Sequence, residues 1–222
     1  MKIGTRCPYA TCPPINETMN NLKDKVVLIT GAGKGSGRVL ARAFAERDAI
    51  VAANDISPIN LEEVVDEINE QGKRARAYIE DVAKKLGAQN VIKQVEDDFG
   101  RIDVLINHAA VEPQVPLLDM DEWDWHRVLD VNLTGAFLMT QSMGRVMRSQ
   151  GSGVIVNLIT ETDPKVQNEA AFVASMQGLE GLTRQAACEL HPYGIRVFAL
   201  KNSQDTIVQK VFALFDEGLE ET

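Results

Sequence analysis

Three observations predict an α/β fold with a doubly wound parallel sheet in three layers. Short apolar segments alternate with helical ones from residue 25 onward. The apolar segments are continuous rather than alternating, which implies burial on both faces of a parallel sheet covered by helices. A glycine cluster at positions 31, 33, 35 and 37 stands between the first strand and the first helix.

Each element follows from its local pattern. Residues 26–29, Val-Val-Leu-Ile, read as the first strand, ended by Thr30 and the glycines. Residues 38–47 carry Val39, Leu40, Ala43 and Phe44 at helical spacing. Residues 50–53 form a second buried strand, stopped by Asn54-Asp55. Pro58 opens a helix through Leu61, Val64, Val65 and Ile68 that closes near Gly72, with proline at the start and glycine past the end. Residues 75–79 read as the third strand, 82–99 as a helix ending at Gly100, and 102–106 as the fourth strand. Beyond a loop rich in proline and acidic residues, 121–148 predict one or two helices, with Trp123 expected in the core. Residues 154–159 give the fifth strand, 170–190 a helix and 195–200 the sixth strand. Residues 204–222 suit an amphipathic helix through Ile207, Val208, Val211, Phe212 and Phe215.

No period of 20–50 residues repeats, so solenoids are excluded. The expected organisation is one domain over residues 22–222, preceded by an extension, 1–21, read as a mobile Pro-rich segment. Cys7 and Cys12 in that extension could hold half a metal site, but no His or Cys pair completes it, and no metal is expected.

With 222 residues, 45% hydrophobic and 25% charged, the chain has globular composition, and disordered or fibrous classes are excluded. Twenty-three basic against 32 acidic residues give a net charge of −9, which repels polyanions and argues against nucleic-acid partners. The apolar stretches are strand-sized, far short of the roughly 20 residues of a membrane span. The extension lacks the apolar core of a secretory signal, and three irregularly spaced cysteines suit a reducing compartment. A cytoplasmic location is therefore expected.

The chemistry concentrates in Thr30-Gly31-Ala32-Gly33-Lys34-Gly35-Ser36-Gly37. Gly31 permits a tight turn, and Gly35, Ser36 and Gly37 let backbone N–H groups approach a pyrophosphate at the positive end of the helix. Strand, glycines and helix in register are far more specific than the glycines alone. Asp55 closes the second strand, where a carboxylate accepts ribose hydroxyls and repels a 2′-phosphate. That favours NAD. Lys34, a cation in the loop, pulls toward NADP, and Asp55 is the better placed of the two.

On these residues the chain resembles the short-chain dehydrogenase/reductase family, from about residue 22 to 197. Thr-Gly-x-x-x-Gly-x-Gly at 30–37 is similar to that family's cofactor turn. Asp81-Val82 resembles its adenine-contacting pair, and Asn107-His108-Ala109-Ala110 its Asn-Asn-Ala-Gly segment. The resemblance implies a Rossmann-like fold and a cofactor site built from Gly31, Lys34, Gly35, Ser36, Gly37, Asp55, Ile56, Asp81, Val82, Asn107 and Ala109. It also implies a proton relay of Tyr, Lys, Ser and Asn coupled to hydride transfer. Asn132 matches the Asn, and Thr160 falls near the Ser.

The remaining positions depart. Aligned on Gly178-Leu179-Glu180-Gly181-Leu182-Thr183, the Tyr position falls on Phe172 and the Lys position on Met176. Phe has no proton to give and Met no donor. His108 and Ala110 alter the Asn-Asn-Ala-Gly segment, and residues 198–203 lack the Asn and Pro-Gly of the family's substrate-facing turn. Nothing after that turn suits the family's seventh strand, so the sheet is expected to end at the sixth strand, an edge left for the tail or a partner to cover. His108, Glu161 and Asp163 are the candidate replacement acids, each weighed against an ordinary loop role.

Three functions remain open from sequence. The chain is an NAD-dependent oxidoreductase on a small alcohol or ketone using a non-standard acid, a pseudoenzyme that binds the dinucleotide as scaffold or sensor, or a decayed copy. Helices 132–148 and 170–190 resemble the pair through which family members dimerise. A homodimer, or a hetero-oligomer with an active relative, is therefore expected.

Overall fold

The computed structural model describes residues 21–161, 167–202 and 206–216. Most of the N-terminal extension, with Cys7 and Cys12, lies outside the described residues, as does Asp163. The chain runs β1 (Val26–Thr30), α1 (Gly35–Glu46), β2 (Ile50–Asp55), α2 (Pro58–Glu70), β3 (Arg74–Ile79), α3 (Lys85–Phe99) and β4 (Val104–Asn107). It continues with α4 (Glu122–Leu129), a π-helical stretch (Asp130–Gly135), α5 (Ala136–Gln150), β5 (Gly153–Thr160), α6 (Ala170–Leu190), a 3-10 turn (His191–Tyr193), β6 (Ile195–Asn202) and α7 (Ile207–Asp216).

The strands form one parallel sheet in the order β3-β2-β1-β4-β5-β6. This is a Rossmann-like, doubly wound α/β fold, and among the described residues the sheet ends at β6. Successive strand residues feed opposite faces. Val27, Ile29, Val51, Val104 and Val156 pack with α1, α2 and α7. Val26, Leu28, Ala52, Leu105 and Ile155 pack with α3, α5 and α6. The strand order reverses between β1 and β4, so their carboxyl ends open a crevice at the switch point.

The tail helix completes one layer. Phe44 of α1 meets Phe212 and Phe215 of α7 edge-on, with centroids 5.1 and 6.1 Å apart, and Arg47 stacks 3.7 Å over Phe212. Phe198 and Leu200 of β6 pack into the same cluster. α7 therefore packs on the face of β6.

Several boundaries differ from expectation for identifiable reasons. β4 starts at Val104 rather than residue 102, because the Gln150 side-chain amide bonds both backbone groups of Ile102, at 3.1 and 2.9 Å. The 82–84 segment is a turn ahead of α3. Asp81 Oδ1 accepts from the Ala83 N–H, and the Asp81 carbonyl accepts from the Lys84 N–H. α1 begins earlier than residue 38, directly at Gly35. Residues 121–148 are two helices joined by the π-helical stretch, with no break in the chain's helical path. β3 alternates in exposure, as an edge strand does. Trp123 is 65% exposed rather than in the core, because α4 turns only Val128 inward and Trp123 stacks against Arg127, 5.3 Å from its centroid. No helix among the described residues is long and apolar enough to cross a membrane.

Candidate functional site

The carboxyl end of β1 is built to lie in backbone contact with the end of β4. Gly31 adopts φ +68°, and a Cβ there would fall 2.9 Å from Ala109 Cα. A Cβ on Gly37 would overlap the Gly31 carbonyl oxygen and lie 2.6 Å from His108 Nδ1. The Thr30 hydroxyl locks the junction, accepting from the backbone N–H groups of His108 and Ala109 at 3.0 and 3.1 Å. β2 joins from the other side. The Asp55 carboxylate accepts from the Gly33 N–H at 3.0 Å and the Ser57 N–H at 2.9 Å, fixing the turn against the strand end.

A cleft of about 810 Å³ opens over this junction. Gly31, Lys34, Asp55, Ile56, Asp81, Val82 and Ala109, all read from sequence as cofactor residues, line it. Gly35, at φ +52° and with open space where a Cβ would stand, starts α1 beside it. Gly37 is buried beneath the turn, and Ser36 bonds the ring of His108. Asn107 stands at the end of β4, outside that lining. It is buried, and its amide donates to Asn157 Oδ1 at 2.8 Å and Thr140 Oγ1 at 3.3 Å, tying β4 to β5 and α5.

His108 is half-buried and lines the cleft, with both ring nitrogens engaged. Its Nδ1 lies 3.1 Å from the Gly31 carbonyl oxygen and its Nε2 2.9 Å from Ser36 Oγ. Burial pushes its pKa below the ordinary histidine range, against smaller upward pulls from the Gly31 and Thr30 backbone and the Asp55 charge. Glu161 is exposed, just past the end of β5.

The four positions aligned with the proton relay stay out of the cleft. Asn132, in the π-helical stretch, is fully buried. Its Oδ1 accepts from the Val111 N–H at 2.8 Å, and its Nδ2 donates to the Val111 carbonyl at 3.0 Å and to Ser175 Oγ at 3.1 Å. Ser175 in turn donates to the Phe172 carbonyl at 2.7 Å. Phe172 and Met176 are 3% and 1% exposed, in an apolar cluster with Val128, Ile159 and Leu179. Thr160 is half-buried at the end of β5.

The far wall of the cleft, formed by Trp123, His126, Arg127 and Asp130, was not expected from sequence. These residues recur at i, i+3, i+4 and i+7 along one side of α4 and the stretch that follows. The spacing was legible, but a polar helical face reads equally as solvated surface.

The half of the cleft at the switch point fits an adenine dinucleotide. The absent Cβ atoms of Gly31 and Gly37 let the turn close on the β4 end, the first turn of α1 presents its N–H groups, and the Asp55 carboxylate lines the cleft at the end of β2. Fold and cleft together define a dinucleotide-binding α/β domain. Residues 25–203 match the family model described as short chain dehydrogenase, and the chain belongs to this family of NAD(P)-dependent oxidoreductases.

Among relatives, an "Uncharacterized oxidoreductase" of Thermotoga maritima is 40% identical over 181 residues, 81% of this chain and 71% of the relative. The "(2S)-[(R)-hydroxy(phenyl)methyl]succinyl-CoA dehydrogenase subunit BbsD" of Thauera aromatica is 35% identical, over 79% of this chain and 71% of that protein. The NAD+-bound structure of xylitol dehydrogenase superposes with a TM-score of 0.78 at 35% identity, covering 81% of this chain and 70% of its own. A metagenomic short-chain oxidoreductase in complex with NADP gives 0.83 at 28% identity, covering 91% and 95%. Relatives with either cofactor are thus represented.

The packing at Gly37 generates a prediction. Gly37→Ala forces apart the turn and the His108 ring, destabilising the fold by about 1–3 kcal/mol and weakening dinucleotide binding. Urea unfolding and calorimetric titration check both, and wild-type values in each would contradict the assigned contact.

Proposed function

We propose that this chain is a dinucleotide-binding member of the family whose own proton relay is replaced by apolar packing, so that it binds NAD in preference to NADP without catalysing the family's reaction. The observation that carries this reading is the burial of Phe172 and Met176 in one apolar cluster. A bound nicotinamide dinucleotide supplies a hydride donor or acceptor. The protein must then supply a proton in step with the charge that develops on the substrate oxygen. Phe172 has no exchangeable hydrogen, and Met176 brings no charge to lower a neighbour's pKa or to hold a ribose. General acid catalysis alone is worth about 10²–10⁴-fold.

What remains is a binding device. Gly31, Gly35, Ser36 and Gly37 would hold the pyrophosphate, while Asp55 and Ile56 would meet the adenosine ribose. Asp81 and Val82 would bound the adenine, and Ala109 would lie against the cofactor backbone. The preference for NAD rests on the Asp55 carboxylate, which repels a 2′-phosphate. Asn132 and Thr160 are remnants of the relay. Both amide groups of Asn132 are engaged in bracing Val111 and Ser175, so its side chain acts as a structural tie.

A scaffold or sensor of this kind acts through a partner. The proposed assembly is a dimer through α5 and α6, with a second copy or with an active relative. The Thauera relative, itself named as a dehydrogenase subunit, favours the second arrangement. Sedimentation as a monomer contradicts both.

The double substitution Phe172→Tyr with Met176→Lys tests the central reading. With NAD and a panel of glycerol, xylitol and D-threitol, it should raise turnover by about 10²-fold or more over wild type, with Phe172→Tyr alone giving a smaller gain. Substantial wild-type turnover, or no gain in a folded double variant, contradicts the claim that these two positions silence the site.

A further inference from the structure

The ring of His108 sits in the angle between the end of β4 and the glycine turn. Its two nitrogens face Gly31 and Ser36, at 3.1 and 2.9 Å. A carbonyl oxygen only accepts, so Nδ1 carries a hydrogen and donates it to Gly31. In the neutral ring Nε2 is then a bare acceptor, and the Ser36 hydroxyl donates its single hydrogen to it. Ser36 lies in the first turn of α1, the helix end whose N–H groups and partial positive charge attract an anion. If the turn holds the dinucleotide pyrophosphate, as proposed above, a phosphate oxygen competes with the imidazole for that hydrogen.

We infer that His108 takes up a proton from solvent as the dinucleotide binds, releasing the Ser36 hydroxyl hydrogen to the pyrophosphate. The balance is simple. One proton adds to Nε2, which becomes a donor to Ser36 Oγ. The hydroxyl hydrogen rotates toward the phosphate, and no covalent bond of the ligand changes. His108 is thus a positioning residue, acting on the ligand through Ser36.

The surroundings support the linkage. Burial favours the neutral ring, while a nearby anion favours the charged form. The charged groups around it come from several elements. Asp55, at the end of β2, favours the proton and is already bonded to Gly33 and Ser57. Lys34 in the turn lines the same cleft. Arg38 of α1 is engaged by Glu63 and Glu67 of α2. Asp81, Lys84, Arg127 and Asp130 line the same cleft further out. Its lining also holds a second imidazole, His126, which pairs with Glu122 on exposed α4.

Calorimetric titration of the full chain with NADH, in two buffers of different ionisation enthalpy, counts the protons taken up on binding. Near neutral pH the titration should show net uptake of at most one proton per dinucleotide, with affinity weakening as pH rises, by no more than about tenfold per pH unit. His108→Asn should bind with no uptake and a flat profile. Ser36→Ala, a small change at an already half-buried position, should flatten the profile as well. His126→Gln should leave uptake unchanged. Uptake that survives His108→Asn, persists in full in Ser36→Ala or vanishes in His126→Gln overturns the inference. Wild-type binding without proton uptake overturns the inference alone, and no binding at any pH overturns the dinucleotide reading with it.

Discussion

The close approach of the glycine turn to the end of β4 is the constraint on which the rest depends. Two strand ends can touch there only because Gly31 and Gly37 carry no Cβ, and the Thr30 hydroxyl holds them by accepting two backbone N–H groups. That contact sets the direction of α1, and through Phe44 it sets where α7 can pack. It also fixes the floor of the cleft. A second lock, Asp55 on the Gly33 and Ser57 N–H groups, ties β2 into the same junction.

On the other side of the crevice the physical character changes. The cleft over the β1 end is lined by backbone, by apolar side chains such as Ile56 and Val82 and by a few charged ones, whereas the segment around α6 is an apolar cluster closed over Phe172 and Met176. Asn132 stands between the two, its amide spent on Val111 and Ser175. Its hydrogen bonds hold the β4 exit loop to α6, which gives that residue a structural reason to be buried whether or not any proton moves.

Much of this was legible in the sequence because its signals are local. β-branched runs, glycines after a strand and an acid at the next strand's end placed the strands and the glycine turn within a few residues. The helix at Ala170–Leu190 was readable to its ends. What escaped depends on contacts between distant segments. Gln150 takes the backbone of Ile102 and shortens β4, although nothing near residue 102 signals it. Asn107 reads as a cofactor residue by its position, and nothing near it in sequence signals its side-chain bonds to Asn157 and Thr140. His108 looked like an available acid, and only the position of Gly31 and Ser36 shows its ring engaged. The polar side of α4 was visible as a pattern, but a sequence does not say whether such a side meets solvent or a cleft.

The most direct test of a binding site without its relay is to measure binding and turnover on one wild-type sample. NADH fluorescence titration should saturate, while the same protein given NAD and a panel of small alcohols, or NADH and the matching ketones, should turn over no faster than buffer. Turnover in the ordinary enzyme range of about 1–10³ s⁻¹ would contradict the loss of catalysis, and a failure to bind would contradict the site itself.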